Sequence, residues 1–305
     1  MLTCDEYHMP TTLAGALELL QAAPADSRLV AGATDILPWA REGRAGNVNL
    51  PAMIDLSRVE ELHGYEITDG RVRLGANVVY QQFLTDPVLR EHLPAMPYCS
   101  IWFADDQIRE QATLAGNLVN ASPAADGTPP MLAHNAVLEI ARLGGSALER
   151  RTVALDEFVK GPGKTDLADH EIVTAITCDS LSGYGGSFQK VGQRRSLVIS
   201  SVCVAACIKM DASGDVIEDI RLALGGVGPV PARLDDVEQL LRGKPLTSEL
   251  IAEASARPVE RVASRTRRQY RRSVVRGFIE AAIQDALIDC GARLPDLADR
   301  EKAHV

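Results

Sequence analysis

The stretch from Thr113 to Asp126 constrains this chain more than any other. It reads Thr-Leu-Ala-Gly-Asn-Leu-Val-Asn-Ala-Ser-Pro-Ala-Ala-Asp, crowding small residues, amides and a carboxylate together with no basic side chain. Such a segment is poor material for a core element and good material for a loop wrapped around a polar ligand. Asn117 can hydrogen-bond phosphate or backbone, and Asp126 can accept from ribose hydroxyls. The alternative is a structural loop carrying an Asx-turn at Asn120.

A second segment has a related character. Leu29-Val30-Ala31 reads as a short strand running into Gly32-Ala33-Thr34-Asp35-Ile36. Consecutive peptide N–H groups at the end of a strand aim several partial positive charges at one anion, and so suit a phosphate. Gly32 and Ala33 permit close approach, and Thr34 adds a hydroxyl. The plainer alternative is a strand-to-helix turn with Thr34 or Asp35 as N-cap.

Other chemistries lack their residues. The chain has no G-x-G-x-x-G fingerprint, P-loop lysine, H-E-x-x-H or G-x-S-x-G elbow. The histidines show no metal-ligand spacing, and His134 reads as structural. The cysteines at 4, 99, 178, 203, 207 and 290 form no C-x-x-C pair, so the chain is expected to hold no iron–sulfur cluster of its own. Cys203 and Cys207 fall on one side of a predicted strand, too far apart for shared ligation, as small buried hydrophobes. A net charge of −9 argues against nucleic acid as the main partner. Arg261, Arg265, Arg267, Arg268, Arg271, Arg272 and Arg276 are expected to form a solvated helix face. No apolar run reaches membrane-span length, and residues 1–10 lack a signal-peptide pattern, so a cytoplasmic location is expected.

The length suggests about two domains, and the patterns divide the chain further. Residues 1–57 show an N-capped helix after Thr12 (Leu13, Ala16, Leu17, Leu20), the strand at Leu29, a helical or irregular piece to Arg41, and a strand at Met53–Leu56; this predicts a small mixed sheet. Residues 58–178 show a strand at Arg71–Gly75, short helices at Val79–Leu84 and Pro87–His92, a long polar stretch from Trp102 to Pro130, and a hairpin around Gly144-Gly145-Ser146. Residues 179–288 show antiparallel strands at 187–191, 198–210 and 216–224. Helices follow at Asp235–Leu241, Ser248–Ala256 and about Pro258–Ile288. Residues 289–305 read as a flexible tail.

The paired segments, in this order, resemble the FAD-binding subunit of the xanthine dehydrogenase and carbon monoxide dehydrogenase family of molybdenum hydroxylases. That family carries an A-G-G-T-D-type turn and then a T-I-G-G-N…A-S-P-x-x-D loop. These stand here as Ala31–Asp35, Thr113–Asn117 and Ala121–Asp126. Gln107-Ile108-Arg109, Asp156-Glu157-Phe158, Gly161-Pro162-Gly163 and Leu222–Val227 with Pro229 extend the likeness, which spans about residues 5 to 285.

The resemblance implies an α+β fold of the vanillyl-alcohol-oxidase type: two subdomains enclose FAD, and a C-terminal domain combines an antiparallel sheet with helices. Leu29, Val30, Ala31, Gly32, Ala33, Thr34, Asp35 and Ile36, with Thr113, Leu114, Ala115, Gly116 and Asn117, would then hold the pyrophosphate. Asp126 would lie near the ribityl or ribose hydroxyls, Phe103 near the adenine side, and Val173 near the isoalloxazine. Lys190 would stand at the ring's carbonyl edge, where a cation stabilises negative charge.

By the same resemblance, the chain is an oxidoreductase subunit passing electrons from 2Fe–2S clusters on a small partner through FAD to an acceptor such as NAD. A large molybdenum-cofactor subunit would complete a heterotrimer. Ala33 and Ala115 depart from the family's usual glycines and resist a left-handed backbone; Glu110 and Ala112 also depart. A self-sufficient flavin oxidoreductase is the rival reading, and it would need an acid/base pair that the sequence does not offer. A fold-retaining scaffold without flavin is a third.

Overall fold

The computed structural model describes residues 2–41, 48–145, 147–194, 197–264 and 266–292. The expected turn residue Ser146, Arg265 of the basic run and the tail beyond 292 lie outside them.

Three sheets carry the chain. The first contains β1 (Leu2–His8), β2 (Arg28–Val30) and β3 (Val48–Asp55) in the order β1-β3-β2. Both pairings are parallel, which corrects the expected mixed sheet. Each strand returns through a crossover, by way of helix Leu13–Ala22 and then helix Ile36–Arg41. Thr12 caps the first helix by accepting from the Gly15 N–H, and Leu13, Ala16, Leu17 and Leu20 face inward as their spacing predicts. Nothing in the sequence marked β1, because its residues are largely exposed and polar.

The second sheet is built from β4 (Tyr65–Thr68), β5 (Arg71–Gly75), β6 (Val137–Gly144) and β7 (Ala147–Ala154). After a small hairpin of β8 (Val159–Gly161) and β9 (Lys164–Thr165), β10 (Ile172–Asp179) returns to the centre. The order is β4-β5-β10-β6-β7, antiparallel throughout. The polar stretch after Trp102 is not one long loop. It holds short helices at Asp106–Arg109, Leu114–Val119 and Thr128–Ala133. Helices this short show no readable 3.6-residue period; Asp105 and Thr113 start two of them by accepting N–H groups in the first turn.

The third sheet, β11 (Gly185–Val191), β12 (Val202–Met210), β13 (Ile217–Gly225) and β14 (Ala232–Arg233), is antiparallel. Gly185 and Gly186 are packing glycines: a Cβ would stand 2.0 Å from the Ala286 carbonyl oxygen at the first and 2.2 Å from Pro94 backbone at the second. Only bare backbone lets β11 lie between helix Ala95–Trp102 and helix Arg268–Asp289. The helices at Asp235–Leu241 and Ser248–Ala256 fall where expected.

The expected long helix from Pro258 is interrupted. A 3-10 turn, Arg257–Arg261, stops at an extended Val262, and helix Arg268–Asp289 starts only after a left-handed Arg267. The N–H groups of Ala263 and Ser264 donate to the Val227 carbonyl at 2.9 and 2.8 Å, which draws the chain out of helical geometry. The basic run is likewise not simply solvated. Arg271 donates to the carbonyls of Ser201 and Gly226, Arg272 pairs with Glu260, and Arg261 with Asp236.

One core unites helix Leu13–Ala22 with the second sheet and reaches Phe188 and Cys203 of the third. A second core lies between the third sheet and the C-terminal helices. All six cysteines are free thiols. Among the described residues no helix is long and apolar enough to cross a membrane, and no cluster of His, Cys, Asp and Glu could hold a metal.

His134 is fully buried; its Nδ1 lies 2.9 Å from the Asp179 carbonyl, and burial lowers its pKa from 6.5 to about 4. The unfolded chain therefore binds the proton first. Stability is intact above pH 6.5 and falls by about 3 kcal/mol as pH drops toward 4. Thermal melts across that window should show the decline, and His134→Asn should flatten it.

Candidate functional site

β2 ends at Val30, and Ala31 to Asp35 turn the chain into helix Ile36–Arg41. This turn is pressed against the second loop. A Cβ on Gly32 would stand 1.9 Å from the Gln111 carbonyl oxygen and 3.2 Å from the Ala112 nitrogen, so only glycine permits the approach. On the other side of the turn, the Asn120 amide donates to the Asp35 carboxylate. Asp35 reaches solvent, yet the protein packed around it displaces enough water to raise its pKa.

Within this turn, among the described residues, the N–H groups of Gly32, Ala33, Thr34 and Asp35 donate to no protein acceptor. The Leu37 N–H makes the first helical bond, to the Ala33 carbonyl, so the open Thr34 and Asp35 donors are those of a helix start, and with Gly32 and Ala33 they face water or a ligand. Ala33 sits at φ 53°, in the left-handed region. The departure from glycine at this position therefore falls where it costs conformational energy. Ala115 lies in helix Leu114–Val119, where alanine carries no such cost.

Thr113 caps that helix by accepting from the Gly116 N–H at 3.0 Å. Asn117 turns its side-chain oxygen to the Gly127 N–H at 3.1 Å and so fixes the backbone beside Asp126. Asp126 is buried. Its Oδ2 accepts from Lys190 Nζ at 2.5 Å and its Oδ1 from Ser200 Oγ at 2.6 Å, while its carbonyl accepts from the Cys99 thiol at 3.3 Å. Burial pushes the Asp126 pKa up, and Lys190 and then Ser200 pull against that rise. Lys190 Nζ also donates to the Trp102 carbonyl at 3.2 Å. An ammonium has three donors; one remains for a further acceptor.

Phe103 follows directly. One face of its ring stacks on Tyr80, centroids 3.7 Å apart and planes within 1°, and its carbonyl accepts from Arg109 at 2.9 Å. The Tyr80 hydroxyl is buried without a hydrogen-bond partner, and burial raises its pKa well above the usual value. Val173 lies in the core on β10, at the register shift before Ala175, and helix Leu114–Val119 packs against that strand.

The structure thus brings the turn at 29–36 onto the second loop, and joins Asp126 to Lys190 and to the chain entering Phe103. Sequence reasoning treated Asp126 and Lys190 as separate contacts; they are partners. It missed Ser200, Tyr80, Gly127 and the Trp102 carbonyl. The Asp126-Gly127 step was a visible turn signal, whereas Ser200 fell inside the expected strand 198–210, and the structure starts β12 only at Val202, leaving Ser200 in irregular chain.

Residues 3–178 match the family model described as the FAD binding domain in molybdopterin dehydrogenase, and residues 187–286 match the CO dehydrogenase flavoprotein C-terminal domain. The chain is similar to the xanthine dehydrogenase FAD-binding subunit of Escherichia coli O157:H7, 30% identical over 96% of this chain and 100% of that one. It is also similar to the glyceraldehyde dehydrogenase medium chain of Sulfolobus acidocaldarius, 30% identical over 92% and 97%. Among solved structures, carbon monoxide dehydrogenase from Hydrogenophaga pseudoflava superposes with a TM-score of 0.84 at 25% identity, covering 93% of this chain and 98% of that one.

Two substitutions in the first turn should move in opposite directions. Gly32→Ala forces the turn off Gln111 and should lower both melting temperature and FAD affinity. Ala33→Gly relieves the left-handed alanine and should raise stability by up to about 1 kcal/mol, read by thermal denaturation.

Proposed function

We infer the function from the premise that this chain belongs to the family of FAD-binding subunits of molybdopterin dehydrogenases. It is the flavoprotein subunit of an oxidoreductase and uses FAD to pass electrons within a multi-subunit molybdenum hydroxylase. When bound, FAD supplies the capacity to take electrons singly and release them singly or in pairs.

The observation that carries the site assignment is the convergence of the two turns, with four adjacent N–H donors left open between Gly32 and Asp35. A diphosphate offers the anionic oxygens that such donors suit. In this reading Ala31–Thr34 and the Thr113–Asn117 segment hold the diphosphate, and Leu29, Val30 and Ile36 back the first turn. Phe103, one face already covered by Tyr80, offers an edge and a second face to an aromatic ring. Val173 supplies an apolar contact, and the remaining Lys190 donor addresses a carbonyl edge. The units 1–57 and 58–178 enclose the cofactor, and 179–288 contributes Lys190 and Ser200 from the far side.

Every one of these roles is binding, orientation or charge placement. The self-sufficient rival requires a free acid or base, but Asp126 and Lys190 are engaged with each other. The electrons would come from a small 2Fe–2S subunit fed by a large molybdenum-cofactor subunit, and would leave to NAD or another acceptor. Free thiols throughout the chain support a cytoplasmic setting.

Gently purified protein should show the flavin absorption band, and that band should stay oxidised when organic substrates are added anaerobically without partner subunits. Asn117→Leu strips the Gly127 N–H of its acceptor, at a cost of about 1–3 kcal/mol. The FAD dissociation constant, read by fluorescence titration, should rise at least about tenfold. An unchanged constant would mean that the second loop does not hold the cofactor.

A further inference from the structure

Ser200 is absent from the site that the two turns define, yet it fills half of its buried carboxylate. Its hydroxyl donates to Asp126 Oδ1 at 2.6 Å while Lys190 holds Oδ2 at 2.5 Å. Ser200 is 3% exposed, and the Lys190 and Asp126 side chains are 3% and 9% exposed. A carboxylate gripped at both oxygens from different directions cannot rotate about its Cβ–Cγ bond. Its partner ammonium, tied also to the Trp102 carbonyl, then has one fixed position.

We propose that Ser200 is a positioning residue for FAD: by pinning Asp126 it fixes where the Lys190 ammonium stands, and so sets how strongly the site favours the ring once it has gained negative charge. The inference rests on the seating proposed above, with the ring's carbonyl edge beside Lys190. In a buried site a cation's effect on nearby charge depends steeply on its position, because little water screens it.

The backbone around Ser200 is braced without help from its hydroxyl. The Ser201 N–H donates to the Val191 carbonyl at 2.7 Å, the Ser201 carbonyl accepts from Arg271, and Arg194 donates to the Leu197 carbonyl. Removing the hydroxyl therefore frees Asp126 without releasing the segment. That separates a positioning role from a merely structural one.

The test is the midpoint potential of bound FAD, read spectroscopically against reference dyes, in the wild type, Ser200→Ala, Ser200→Thr and Lys190→Met chains. Ser200→Ala should bind FAD but favour its reduced form about tenfold less, which is a fall of about 30 mV for a two-electron couple. Ser200→Thr keeps the hydroxyl and should stay near the wild-type value. In the Lys190→Met background, Ser200→Ala should produce no further fall, because its effect passes through the lysine. An unchanged potential in FAD-loaded Ser200→Ala, or the same fall in the Lys190→Met background, overturns the inference and leaves the FAD assignment standing. A wild-type chain that takes up no FAD defeats that assignment first. If Ser200→Ala cannot retain FAD, Ser200→Cys, a weaker donor of similar size, should give a smaller fall, and a wild-type potential there overturns the inference equally.

Discussion

The ion pair between Asp126 and Lys190 is the constraint around which the site is built. Neither charge could stand alone at that depth, since an unpaired buried carboxylate is strongly disfavoured relative to one in water. The pair joins the second loop to the third sheet, and other contacts follow its lead. The Gly226 N–H donates to the Pro123 carbonyl at 2.8 Å, and the Cys99 thiol meets the carbonyl of Asp126 itself. Desolvation consumes much of what such a pair gains. Its contribution is therefore more to fixing the register between the FAD-binding portion and the C-terminal domain than to net stability.

A second constraint works through what the fold leaves open. Gly32 allows the first turn to lie directly on the Gln111–Ala112 backbone, and the Asp35–Asn120 contact holds its far end. Helix Ile36–Arg41 opens directly after the turn, and the first N–H groups of a helix have no acceptor within it. The same contacts place Ala33 in a left-handed conformation that alanine adopts only at a cost. One turn thus combines a left-handed alanine with open N–H donors.

The sequence made much of this legible, and where it failed the reasons are physical. Helix Leu13–Ala22 announced itself through Thr12 and four inward residues, and the β6–β7 hairpin through its glycines, because period and turn chemistry are local properties. β1 was silent because a mostly exposed edge strand needs no apolar alternation. The break before Arg268 was silent too, since its cause is the Val227 carbonyl, far away in sequence. In the site, residue types disclosed the two turns, but not that Asp126, Lys190 and Ser200 meet. That meeting depends on the third sheet docking on the second loop, which no window of sequence contains.

The electrostatics of the site also restrict what chemistry this chain can perform. A group that transfers protons must have a pKa near the working pH and a route to its substrate. Asp126 has both oxygens engaged, and Tyr80 is sealed and pushed far above neutrality. His134 is buried, and its Nδ1 is engaged by the Asp179 carbonyl. With Asp126 engaged at both oxygens and Tyr80 and His134 held neutral by burial, these three groups offer orientation and fixed charge in place of proton transfer.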